Sequence, residues 1–180
     1  MKPFLAVALV ASVLLLSACA SLVTDNISGI GPYSRITARI LVMQPNHVWQ
    51  AMLDWQSEQP GEGRIRVVHA VSGRIVELRW QHDEMWLRDN QAKNPAWRSI
   101  RKEELVSHGI VISPQELSEF LASHVPSGFQ PKGANRWVIN RNNSHIRVEW
   151  NIQKQRLVFS DIKHGRKTTL IILNSKTPRA

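Results

Sequence analysis

Along most of this chain apolar and polar residues take turns, and that alternation restricts the fold more than any other feature. In the run "VWQAMLDWQ", Trp49, Ala51, Leu53 and Trp55 share one side. Gln50, Asp54 and Gln56 share the other, with Met52 as an exception. Further on, Ile65 and Val67 oppose Arg64 and Arg66, and Val76, Leu78 and Trp80 oppose Glu77 and Arg79. Leu87 opposes Arg88, although Trp86 sits on the polar side. Nearer the C-terminus, Trp137 and Ile139 alternate with Arg136 and Asn140, and Ile146, Val148 and Trp150 with Arg147 and Glu149. Leu157, Phe159, Leu170 and Ile172 complete the set. Successive side chains of a strand point to opposite faces, so a period of two predicts a sheet with one apolar and one wet face. The links Pro45-Asn46, "EQPGEG", "RNNS", "NIQKQ" and "KHGRK" are short enough for hairpins, which makes sequence neighbours antiparallel.

The alternation stops between about residues 100 and 127, where "SIRKEELVSHGIVISPQELSEFLASHVPSGF" reads as two short helices. Ser113 is a good N-cap, Pro114 suits the first helical position, and Glu116 completes an S-x-x-E capping box. Leu117, Phe120 and Leu121, with His124 a turn on, then fall on one face at helical spacing. Gly109 is placed to end the preceding helix, which carries Leu105. The expected order is therefore five or six strands, a helical insert, then four strands. The fold class is mainly β.

A long antiparallel sheet with one apolar face must cover that face or curl around something. The insert, apolar on one side, is the obvious cover. A curled sheet with a helical plug can enclose a cavity suited to an acyl chain, whose burial is worth about 0.8 kcal/mol per methylene. The same residues can equally well form a filled core. The alternation alone leaves both open.

The N-terminus has a different character. Lys2 is followed by 13 uncharged residues, Phe4 to Leu16, then by Ser17, Ala18 and Cys19, the only cysteine. Such a run has the length of a signal-peptide core and is short for a bilayer span. Leu16-Ser17-Ala18-Cys19 resembles the bacterial lipobox, in which the cysteine is acylated and the leader is removed just before it. That resemblance implies a lipid anchor on Cys19 in a Gram-negative envelope. Ala20 and Ser21, with no aspartate after the cysteine, point to the outer membrane, facing the periplasm. The expected layout is a leader over 1–18, a lipidated N-terminus and flexible tether over 19–35, and one domain over 36–180. Removing the leader leaves 162 residues, enough for one domain with a real core. With Cys19 acylated, the mature fold has no thiol left for a disulfide, so stability must come from packing.

The net charge is +9, falling to +8 without Lys2, but the basic residues are spread along the chain and form no dense cluster. That distribution suits a solvated face or anionic lipid head groups better than nucleic acid. His47, His69, His82, His108, His124, His145 and His164 form no H-x-x-x-H pair, so no metal site is expected. Ser113 is explained as a cap, and no pair of carboxylates suggests acid–base work, so neither a catalytic residue nor a cofactor is expected.

The run "WQSEQPGEGRIRVVHAVSGRIVELRWQHDEMWLRDN", residues 55–90, resembles the LolB family of outer-membrane lipoprotein receptors. The insert "EELVSHGIVISPQELSEFLASHVP" is similar to that family's lid region, with a proline-started helix near its middle. The resemblance implies an incomplete antiparallel β-barrel covered by short helices, of the LolA/LolB type. It implies acyl-chain binding, and a role in lipoprotein sorting and insertion into the outer membrane. The implied partners are a periplasmic LolA-like carrier and the inner leaflet of the outer membrane, with the protein itself a monomer. The cavity lining would be the apolar set from Trp49 to Ile172 named above (Ala51 apart), with Leu105, Leu117, Phe120 and Leu121 in the lid. One departure stands out. The family's N-P-L-G insertion loop corresponds here to His69-Ala70-Val71-Ser72-Gly73, where Val71 or Ser72 replaces the leucine. Two rival readings of the same fold are a platform for a protein partner and a carrier of another lipid.

Overall fold

The structure, a computed structural model, describes residues 30–178. Strands β1 (Arg35–Gln44), β2 (His47–Gln59), β3 (Glu62–His69), β4 (Arg74–Gln81), β5 (Glu84–Asp89) and β6 (Arg98–Ser99) come first. Helices α1 (Lys102–Ser107) and α2 (Pro114–Leu121) follow. Then come β7 (Gln130–Pro131), β8 (Arg136–Arg141), β9 (Ser144–Asn151), β10 (Arg156–Asp161) and β11 (Arg166–Lys176). All eleven strands form one antiparallel sheet in the order β6-β5-β4-β3-β2-β1-β11-β10-β9-β8-β7. The sheet is not closed, because β6 and β7 at its two edges are not paired with each other. The six strands before the insert match the upper expected count, and the two-residue β7 is the addition after it, too short to show a period. Short edge strands also leave little unpaired backbone for another chain to add to.

The first and last long strands join the two halves. β1 pairs with β2 on one side and β11 on the other, with Ile40 opposite both Ala51 and Leu170. The alternation along β1 puts Ile36, Ala38, Ile40 and Val42 into the core and Arg35, Arg39 and Met43 outside. The inner sides of both halves, with the helices, make a single apolar cluster. Phe120 of α2 sits at its centre, its ring 5.2 Å from Phe129, 5.3 Å from Trp137 and 6.5 Å from Phe159.

The helix ends have local causes. Ser113 Oγ accepts from the Glu116 amide, and the Glu116 carboxylate accepts from the Ser113 amide, so the capping box is complete. At the end of α1, Gly109 has φ +83°. Its amide donates to Val106 and that of Ile110 to Leu105, a closure that favours glycine. α2 stops at Leu121, so His124 lies beyond it and is exposed instead of extending the apolar face.

The stretch read as a flexible tether is fixed over its last residues. Ile30 is fully buried, and the Ile30 and Tyr33 amides donate to Phe120 and Leu121 carbonyls at 2.7 Å. The reason is the free carbonyls at the C-terminus of α2, which need donors once that end is buried. Gly31 permits the approach. A Cβ there would lie 2.0 Å from the Leu121 carbonyl oxygen, and its φ of +126° disfavours any side chain. The leader, Cys19 and the remainder of the tether lie outside the described residues.

Candidate functional site

The residues expected to line a cavity are brought together on the inner face of the sheet. Leu53, Trp55, Leu78, Trp80, Trp137, Ile146, Val148, Leu157, Phe159, Leu170 and Ile172 are buried in the central cluster. Trp49, Ile65, Val67, Leu87, Ile139 and Trp150 are half-buried and pack against it. Val76 shares their face by its spacing from Leu78 but is only half-buried, near the start of β4. Leu105, Leu117, Phe120 and Leu121 cover this layer from the helices. Ile36, Ala38, Ile40 and Val42 belong to the same inner face. Their period of two in "ITARILVMQ" could have placed them with the others. Ile30, Phe129 and Val111 are also buried there and carry no such signal.

The interior is packed in this form of the molecule. Trp55 is 1% exposed, Trp80 2%, and Phe120 and Phe159 0%. Space opens instead beside the lid. A slot of about 440 Å³ runs between α1, the α1–α2 connection and the ends of β8 to β11. Leu105, Val106, Ile110, Val111, Ile112 and Ile146 form its apolar side. Lys102, Glu103, Arg141, Asp161, His164 and Arg166 supply its polar side. Small-molecule sites typically span roughly 300–1,000 Å³, so the slot has the size of a binding site, although ten of its sixteen lining residues are polar or charged.

Polar contacts fasten the lid at a few points. Arg141 grips Glu116 with two bonds, of which Nη2 to Oε2 is 2.9 Å. Burial pushes the Glu116 carboxyl up, and the bonds from Arg141 and the Ser113 amide outweigh it, leaving it below the usual glutamate range. Ser57 Oγ and Ser118 Oγ share a buried hydrogen bond of 2.8 Å. Gln115 donates to the His82 carbonyl at 2.9 Å, and Thr168 donates to the Gly109 carbonyl at 3.1 Å.

The slot's polar end gathers Ser144, Asp161 and His164, residues that sequence spacing did not connect. Ser144 Oγ donates to Asp161 Oδ2 at 3.0 Å, and His164 Nδ1 lies 2.7 Å from the same oxygen. The hydroxyl proton is held by the carboxylate, and the imidazole also faces the carboxylate. The set therefore ties the β8–β9 and β10–β11 turns together and does not present an activated serine. Burial raises the Asp161 carboxyl, but the bonds from His164 and Ser144 prevail and hold it below the ordinary aspartate range. Its other oxygen, Oδ1, is buried without a protein partner, so a donor reaching this end of the slot would find an acceptor. Among the described residues no group of three or more His, Cys, Asp or Glu could hold a metal ion, and no helix is long and apolar enough to cross a membrane.

In the β3–β4 turn, Val71 and Ser72 take different positions. Val71 is 94% exposed at the tip. Ser72 is tied down, its hydroxyl 2.9 Å from His69 Nδ1 and its carbonyl accepting from Gln91. Between the two candidates for the leucine's place, Val71 is the residue that protrudes.

No protein-family model matches the chain, and no curated protein matches it. Among solved structures, the crystal structure of a LolA superfamily protein from Nitrosomonas europaea is similar, with a TM-score of 0.43 and 8% identity over 81% of this chain and 86% of the other. The likeness is loose, and no residue role is carried across it.

Proposed function

We propose that this chain is an outer-membrane lipoprotein, anchored through Cys19, that accepts acyl chains beneath α1 and α2. In this reading it takes part in delivering lipoproteins to the inner leaflet, receiving them from a periplasmic LolA-like carrier. The observation that carries the reading is the separation between an apolar inner face and a helical cover. One large aromatic anchor, Phe120, and a handful of polar fastenings hold the cover in place. The slot beside α1 already opens toward that face, with Ile146 and Leu105 contributing to both slot and core. Swinging α2 out would exchange Phe120 for an acyl chain on the same indole and aliphatic surface. No bond is made or broken. Release requires only that the bilayer be the better solvent, and Val71 at the β3–β4 tip offers an apolar contact with it.

A second reading has its own observation. Trp55, Trp80, Phe120 and Phe159 fill the interior, which suits a rigid platform for a protein partner. Native mass spectrometry of the purified chain separates the two. Co-purified lipid, displaced by added fatty acid, is the outcome expected of the acyl-chain reading. A bare mass that stays bare after incubation with lipoprotein or lipid would sink it and leave the platform.

A further inference from the structure

One edge of the sheet differs from the other in charge. The β1–β2, β3–β4, β8–β9 and β10–β11 turns lie along the same edge, as the pairing of their strands requires. Two contacts show that neighbouring turns meet. A Cβ on Gly165 would lie 3.6 Å from the Pro45 ring, and Lys163 bonds to Asn143. Residues 43–49, 69–74, 141–145 and 161–167 cover these turns and contain five lysines and arginines and one acid, Asp161, which stands opposite Arg166 and is bonded to Ser144 and His164. Arg74 and Arg141 are paired with Asp89 and Glu116, while Lys163, Arg166 and Lys167 make no ion pair among the described residues. At the opposite edge, residues 57–63, 81–84, 132–136 and 151–156 carry four acids and four bases.

The basic edge is also apolar where it is exposed. Met43 and Val48 are direct cross-strand partners on the outer face at the first turn, and both are exposed. Ile162, 49% exposed, stands beside Lys163 in the β10–β11 turn. Below them, Met52 faces Val68 and Val68 faces Ile75, an apolar row on the outer side. Apolar tips set among uncompensated cations match a surface that is negative outside and apolar within.

We infer that this edge is a docking surface for an anionic lipid bilayer, with Met43, Val48 and Ile162 entering the head-group layer and Lys163 and Lys167 meeting lipid phosphates. It extends the contact assigned to Val71 to two further turns and does not depend on what the interior binds. The chain's own length allows it. Ile30, five residues before the start of β1, is buried against the end of α2, and the 11 steps back to Cys19 reach at most about 36–40 Å. A ten-residue strand is about 34 Å long, so an anchor on Cys19 and this edge can meet one membrane.

The test uses the full chain with Cys19→Ala, which removes its only cysteine, and a single new cysteine carrying a polarity-sensitive fluorophore. The label is placed at Ile162→Cys, or at Ile152→Cys in the opposite edge, where the isoleucine is 62% exposed. Vesicles of phosphatidylcholine are compared with vesicles that also contain phosphatidylglycerol. The expected result is a blue shift at position 162 only, with the anionic vesicles only, reversed by salt. Lys163→Gln with Lys167→Gln should weaken that response by roughly twenty-five-fold, about fivefold for each cation lost. Equal responses at 162 and 152, or a response indifferent to anionic lipid, would overturn the inference. Lipid retention in native mass spectrometry is read separately, so failure here and failure of the acyl-chain reading remain distinct.

Discussion

At the scale of single residues, the ion pair between Arg141 and Glu116 is the most informative. It is one of two ion pairs between the helices and the sheet among the described residues, the other joining Arg98 of β6 to Glu104 of α1. Glutamine at 116 can still complete the capping box, so Glu116→Gln isolates the charge. The loss should be about 1 kcal/mol, since a charge-assisted bond here is only partly shielded from water. Because the folded carboxyl sits below its ordinary value near roughly 4.3, the stabilisation is present above that pH and disappears as pH falls through the lower folded value. Urea titrations of both proteins should therefore differ at neutral pH and converge in acid. A gap that persists in acid would mean that the carboxylate's charge is not the cause. Single residues also explain the two breaks in the alternation. Met52 and Trp86 break the alternation because each has a partner on the outer face. Met52 lies opposite Val68, and Trp86 lies opposite Arg79, which stacks 4.4 Å over Trp97. Alternation reports burial on one face and is blind to pairing on the other.

Among the elements, the long strands and α2 were legible because each has a local cause: a period of two, a short turn, a capping box. β6, β7 and the ordered end of the tether were not. Their positions follow from contacts with residues distant in sequence, as Ile30 does from the carbonyls at the end of α2. Which apolar residues share the inner face could be read, but not whether they enclose space, since one pattern serves a cavity and a filled core. α2 is the element on which this turns. If it is a lid, it must be able to leave without unfolding the sheet. Phe120→Ala removes a ring with no exposure, at a cost of about 3–5 kcal/mol. Hydrogen exchange should then speed at the α2 amides while β1 and β11 keep their protection. Uniform loss of protection through the sheet would show that α2 is core and not cover, and the platform reading would gain.

For the whole molecule, an open sheet with its two halves joined through β1 and β11 depends on the helices, with Ile30, Val111 and Phe129 beside them among the described residues, to keep its interior from water. A cover of this kind can be fixed shut by chemistry at one contact. Ser57 in β2 and Ser118 in α2 are both buried, with their hydroxyl oxygens 2.8 Å apart. A disulfide needs its sulfurs at about 2.05 Å and its Cβ atoms at about 3.5–4.5 Å, which small shifts from this geometry can supply. Ser57→Cys with Ser118→Cys, in a Cys19→Ala chain, should therefore oxidise to a single bridge between sheet and lid. Lipid uptake from vesicles or from a loaded carrier, measured with a fluorescent acyl chain, should fall to background in the oxidised form. Reduction with dithiothreitol should restore it, which excludes damage to the fold. Docking to anionic vesicles should be the same in both states, because Met43, Val48, Ile162, Lys163 and Lys167 lie outside α2. If the bridge forms and uptake is unaffected, the acyl chain does not pass beneath α2, and the packed interior is a core and nothing more.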